Sequence, residues 1–141
     1  MKSLVILFGT MFLCLSTAIA SDKKLTIIVD GFKEKKGNLM IGIYNSEATF
    51  MKQTYKGFAV DVTDTSMECT IELPEGEYAI SVYHDVNGNN KLDTATFGIP
   101  TEDYGFSNNA KGLMGAPSFE KAKFSVTQDH VVVRINLTKA L

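Results

Sequence analysis

The sequence predicts an all-β domain: an antiparallel β-sandwich of about seven strands with one long ordered loop. Three observations predict it. Apolar and polar residues alternate at period two in seven separate stretches, as strands with one buried face require. Clusters of Gly, Pro and Asn separate those stretches. No stretch sustains the 3.6-residue period of an amphipathic helix.

Taken in order, Leu25, Ile27 and Val29 alternate with Thr26 and Asp30 to give the first strand. Asp30-Gly31 and the lysine-rich run up to Gly37-Asn38 read as a turn. Leu39, Ile41 and Ile43 line one face of the second strand, with Met40, Gly42 and Tyr44 on the other. A glycine in mid-strand marks a close neighbour. Between Ser46 and Gln53 the period changes. Ser46 is placed to cap a single helical turn that docks Phe50 and Met51 over the sandwich edge. Phe58, Val60 and Val62 mark a third strand. Met67, Cys69, Ile71 and Leu73 mark a fourth. Leu73-Pro74-Glu75-Gly76 is a β-turn with Pro at its second place, where the fixed φ fits. Tyr78, Ile80 and Val82 build a fifth strand, Ala122, Phe124 and Val126 a sixth, and Val131, Val133, Ile135 and Leu137 a seventh.

The first 20 residues read as a cleaved secretory leader. Lys2 precedes an apolar run from Leu4 to Leu15, and Ala18-Ile19-Ala20 is a small-residue cleavage site. The run is short for a membrane span. Cys14 follows Leu13 rather than a small residue, which favours soluble export over lipid attachment. Residues 21–141 then form one domain, in the periplasm or secreted. The full chain has a net charge of −2. Loss of Lys2 takes the basic count from 14 to 13 against 16 acids, a net charge of −3. That balance gives no footprint for nucleic acid, and no basic stripe for an anionic membrane is present. Cys69 is left as the one cysteine of the domain, on an apolar face, so it reads as a buried structural thiol. The expected partner is a protein or surface of unspecified kind, and the expected assembly a monomer or weak oligomer.

The fifth strand runs into His84-Asp85-Val86-Asn87-Gly88-Asn89-Asn90-Lys91-Leu92-Asp93. Asp85, Asn87, Asn89 and Asp93 fall at positions 1, 3, 5 and 9 of a calcium loop. Calcium takes six to eight oxygens at about 2.3–2.6 Å, and a tight loop presenting alternate side chains inward supplies them. Lys91 stands at position 7, where the ligand is the backbone carbonyl. Asn90 stands at the sharp turn of position 6, which glycine usually makes and Asn tolerates. Position 12, usually Glu, is Thr96. A plain Asn-Gly hairpin turn would need two residues, whereas these oxygens continue over nine. Magnesium demands stricter octahedral geometry, and zinc would want more than one His or Cys.

Residues 94–118 show no periodicity, yet glycines and aromatics alternate in them as in an ordered loop that packs on itself. Tyr104, Phe106 and Phe119 are expected to form that loop's own core, the alternative being an exposed contact surface. Glu102 is the nearest downstream carboxylate able to replace the missing position-12 ligand, and the loop is expected to fold back so that Glu102 or Asp103 completes or braces the ion site.

A second reading is a small hydrolase that uses His84 with Asp85, Glu102 or Ser107. His84 shares the alternation of Tyr78, Ile80 and Val82, which favours a core-edge histidine bonded to backbone. No Gly-x-Ser-x-Gly elbow, His-Glu-x-x-His motif or phosphate-cradling glycine loop is present in the sequence. His130, in a turn before the last strand, reads as solvated.

The segments Leu-Pro-Glu-Gly-Glu-Tyr-Ala (73–79), His-Asp-Val-Asn-Gly-Asn (84–89), Lys-Leu-Asp (91–93), residues 97–109 and Gly-Ala-Pro-Ser-Phe (115–119) together resemble the exported bacterial family known as domain of unknown function 2141. The resemblance covers essentially all of residues 21–141 and is most specific from 84 to 119. It implies a small exported domain of Gram-negative bacteria and brings no activity with it. More distantly, Leu-Pro-x-Gly-x-Tyr is similar to strand-turn-strand units of prealbumin-like and collagen-adhesin B-type sandwiches. Some of those carry Asp/Asn calcium loops, and the likeness implies an immunoglobulin-like or prealbumin-like arrangement.

Overall fold

The computed structural model describes residues 19–140, so the expected leader lies almost wholly outside the described residues. Eight strands are formed among them: β1 (Lys23–Asp30), β2 (Asn38–Tyr44), β3 (Lys56–Asp61), β4 (Ser66–Leu73), β5 (Gly76–Asp85), β6 (Tyr104–Phe106), β7 (Phe124–Val126) and β8 (His130–Asn136). One sheet has the order β4-β1-β8 and the other β3-β2-β5-β6, with β7 pairing the first residues of β5.

The period-two alternation explains why these stretches are strands and why the sheets stack. Leu25, Ile27 and Val29 of β1 share one buried cluster with Leu39, Ile41 and Ile43 of β2 and Ile80 and Val82 of β5. Each large aliphatic side chain buried there contributes about 1.5–3 kcal/mol. A second cluster sits on the outer side of β5, where Phe50 packs edge-on to Tyr44, Phe106 and Phe119. Phe106 and Phe119 are thus buried core residues of the long loop, as the sequence suggests.

Three expectations need correction. First, the sandwich is not wholly antiparallel: β1 and β8 run parallel, with Ile27 opposite Val133. Parallel and antiparallel ladders share the same alternation, so periodicity could not separate them. Second, the long loop contains β6 and leads into a four-residue helix, α1 (Phe119–Ala122), capped by the Ser118 hydroxyl. Ala122, expected to start a strand, ends α1, and β7 begins at Phe124. Third, the Ser46–Gln53 stretch is a series of turns, not a helix. Ser46 Oγ does accept the Thr49 amide at 3.3 Å. Met51, however, takes a left-handed φ of 60° and stays 44% exposed, so Phe50 alone docks.

Three strand ends make the platform for the site. Asp85 at the end of β5 pairs with Asn38 at the start of β2, and on the other side Tyr83 pairs with Tyr104 of β6. The His84 amide donates to the Asp103 carbonyl at 2.8 Å, extending that edge toward the loop.

Candidate metal centre

Asp85 is 0% exposed, and its carboxylate organises the loop. Oδ1 accepts the amides of Gly88 and Asn89 at 2.9 and 3.2 Å, and Oδ2 accepts that of Asn90 at 2.8 Å. A buried carboxylate must be satisfied, and these three backbone donors satisfy it. Gly88 and Asn90 make the turn possible with φ of 71° and 61°. Asn90 therefore takes the left-handed conformation expected of the sixth position.

Asn87 and Asn89 each close a local turn, their Oδ1 atoms accepting the amides of Asn89 at 3.2 Å and Lys91 at 3.0 Å. Their Nδ2 groups converge on Asp93: Asn87 donates to Oδ2 at 2.6 Å and Asn89 to Oδ1 at 2.7 Å. The Lys91 side chain is exposed. Asn87, Asn89 and Asp93 are thus brought together, and Asp85 gathers the backbone amides of the turn that carries them.

Glu102 arrives from the far side of the long loop and is buried. Its Oε1 accepts the Val86 amide at 3.3 Å and its Oε2 the Asp93 amide at 3.0 Å. One carboxylate thereby clamps both ends of the 85–93 loop. Asp103, the other carboxylate considered for this role, turns elsewhere. Its Oδ1 accepts the Ala140 amide at 2.8 Å, and its Oδ2 lies 3.8 Å from Lys33 Nζ and 3.7 Å from Lys139 Nζ. The phenol of Tyr83 records the local charge: burial, and after it the carboxylates of Asp85, Glu102 and Asp93, push its pKa up.

A residue missed in the sequence seats the loop from beneath. Gly37, with φ of 71°, passes so close to Asp85 that a Cβ there would stand 2.2 Å from its carbonyl oxygen and 2.8 Å from Val86 Cα. The Gly-Asn pair before β2 was its only signal, and that signal says turn rather than contact.

His84 is buried, stacked edge-on against Phe32 with 5.0 Å between ring centres. Its Nε2 lies 2.7 Å from the Lys36 carbonyl, and because a carbonyl only accepts, Nε2 carries the proton. The ring thus ties the 30s turn to β5. A cleft of about 550 Å³ places His84 beside Asp93, Glu102 and Asp103. Ser107 is not there: its hydroxyl accepts the Ile80 amide at 2.9 Å and donates to the Ala122 carbonyl, four residues back along β5 from His84. The nucleophile of the hydrolase reading is therefore a structural hydroxyl. His130, expected in a turn, begins β8 and bonds Thr26 Oγ1 at 2.9 Å.

Chemically, the 85–93 loop offers carboxylate and carboxamide oxygens only, a hard donor set. Among the described residues no three His, Cys, Asp or Glu side chains converge closely enough to hold a metal by themselves. The amides of Asn87 and Asn89 and a backbone carbonyl would have to complete any shell. The family described as "Uncharacterized protein conserved in bacteria (DUF2141)" matches residues 27–134, a span that runs from within β1 to within β8 and includes the 85–93 loop and Glu102. No curated protein and no solved structure matches the chain.

Proposed function

The chain belongs to the DUF2141 family, and on that premise we propose that it is an exported module that binds calcium through its 85–93 loop, the ion ordering the long loop that follows. One observation carries the proposal above others. The buried Asp85 carboxylate gathers the amides of Gly88, Asn89 and Asn90 into a tight turn, and Asn87 and Asn89 both meet Asp93. A calcium loop is a sharp turn of this kind lined by oxygen ligands.

The donor chemistry fits as well. Each Asn Oδ1 has two lone pairs, so it can face a cation while still accepting from its own turn. The Asn87 and Asn89 Nδ2 groups hold Asp93 in the manner a cation would, by offering positive partial charge to both its oxygens. An ion would take over that role. Glu102 braces the loop from outside, its two oxygens already engaged by Val86 and Asp93. Extracellular calcium modules commonly bind with Kd of about 0.1–1 mM. At ten times Kd the ion stabilises the fold by about 1.4 kcal/mol.

Thermal melting of residues 21–141 tests the proposal. Calcium at about 1–10 mM should raise Tm by several degrees, and magnesium by less. Equal Tm with calcium and with chelator would contradict it.

A further inference from the structure

Beside the ion loop the fold gathers apolar side chains that no other part of the described chain covers. Phe97 is 97% exposed, and Leu113 and Met114 are fully exposed. Together with Met51, Leu92 and Ile99 they border a groove of about 580 Å³. Apolar tips gathered in this way mark an interaction surface.

Phe97 is held out rather than left loose. Thr94 bridges Pro100, the Ala95 amide donates to the Ile99 carbonyl at 2.7 Å, and the Gly98 amide donates to the Ala95 carbonyl at 3.2 Å. At the tip of this small hairpin Phe97 takes a left-handed φ of 64°. A bulky residue is strained there, and such strain persists where the surroundings impose it, characteristically at contact sites.

We propose that this face docks on a membrane surface bearing anionic headgroups, with Phe97, Leu113 and Met114 entering the interface. The charges complement such a surface. Lys52 and Lys91 are the chain neighbours of Met51 and Leu92, Lys111 lies two residues before Leu113, and all three lysines are exposed. Residues 94–101 and 110–118 contain no acidic side chain and one basic one, Lys111. Asp93 is already engaged by Asn87 and Asn89. Lysines beside apolar tips place ammonium groups at the phosphate level while the tips reach the acyl boundary. The sequence shows no basic stripe because these lysines come from three separate segments. Single side chains projecting from two separate loops that line one groove suit a fluid that fills around them. A rigid protein surface would need a matching relief. No helix among the described residues is long and apolar enough to cross a membrane.

Co-sedimentation of residues 21–141 with phosphatidylglycerol and phosphatidylcholine vesicles tests this, with chelator present so that no calcium bridge contributes. The expected result is binding to phosphatidylglycerol and weaker binding to phosphatidylcholine. Phe97→Ser/Leu113→Ser/Met114→Ser should keep the parent Tm and bind at least about tenfold more weakly. Lys91→Glu/Lys111→Glu should weaken binding to phosphatidylglycerol by about fivefold per charge. Absence of binding to phosphatidylglycerol overturns the proposal, as does equal binding by the triple-serine variant or equal affinity for both vesicles. A dimer that the triple-serine variant dissolves, with no vesicle binding, assigns the face to a second copy and also overturns it.

Discussion

Glu102 holds the backbone of Asp93, nine residues earlier in the chain: its Oε2 accepts the Asp93 amide at 3.0 Å while Oε1 accepts the Val86 amide. The carboxylate downstream of the loop therefore closes the oxygen-lined turn by clamping its two ends. Replacing Glu102 with Ala leaves two amides without their acceptor. The variant should lose about 1–3 kcal/mol in denaturant unfolding, and calorimetry should show weaker calcium binding. Unchanged stability and unchanged affinity together would remove Glu102 from the site.

Gly37 offers a second probe, acting on the loop from below. An alanine there meets the Asp85 carbonyl and must also keep φ near 71°. Gly37→Ala should cost about 2 kcal/mol or more, because strain and overlap add. Gly88→Ala is the control: its φ is also 71°, but nothing lies within 4 Å of the added carbon. It should cost about 1–2 kcal/mol. Equal losses in urea unfolding would mean that the contact beneath Asp85 is immaterial.

Asp30 ties three strands of the small sheet. The Ser66 hydroxyl, and after it the Arg134 guanidinium, hold its carboxyl below the usual carboxylate range. A depressed folded pKa means that this stabilisation is complete above the unfolded value, near 3.8, and is lost as pH falls through the folded value. Asp30→Asn should thus lower stability at pH 7 by less than about 1 kcal/mol, since the pair is partly exposed. The difference between variant and parent should shrink below about pH 4 in acid titrations of unfolding.

Cys69 should be a poor nucleophile. Burial, and after it the Glu68 carboxylate, push its thiol up to about 11. Alkylation by iodoacetamide at pH 8 should be far slower for the folded protein than for the urea-unfolded chain, with the folded rate climbing toward pH 11. Because the folded pKa lies above the ordinary 9.0, this group's contribution to stability is present below pH 9 and is lost as pH rises toward 11. Cys69 is half-buried against the core rather than fully buried as expected, and equal rates in the folded and unfolded states would contradict that shielding.

The strands were legible wherever burial is one-sided and local. Leu25, Ile27 and Val29, or Leu39, Ile41 and Ile43, announce themselves because every second residue meets the same core. The β6 strand and α1 were not legible. Their burial comes from Phe106 and Phe119 meeting Phe50, more than fifty residues away in the sequence, and no local period records such a contact. The course of β8 was hidden for a different reason, since alternation carries no direction. At the site, the oxygen spacing showed which side chains gather, and distance along the chain narrowed the brace to Glu102 or Asp103. Only the pairing of His84 with the Asp103 carbonyl decides between them, by turning the Asp103 side chain toward Ala140 and Lys139. Phe97 was grouped with its loop, and its exposure reflects a backbone conformation that residue type does not reveal.

Calorimetric titration of residues 21–141 with calcium, alongside Asp85→Ala, decides whether the 85–93 loop holds an ion. The parent should show one site with a Kd of about 0.1–1 mM and the variant no detectable binding. A parent chain that gives no binding heat and no Tm shift at about 10 mM calcium would contradict calcium binding by this loop.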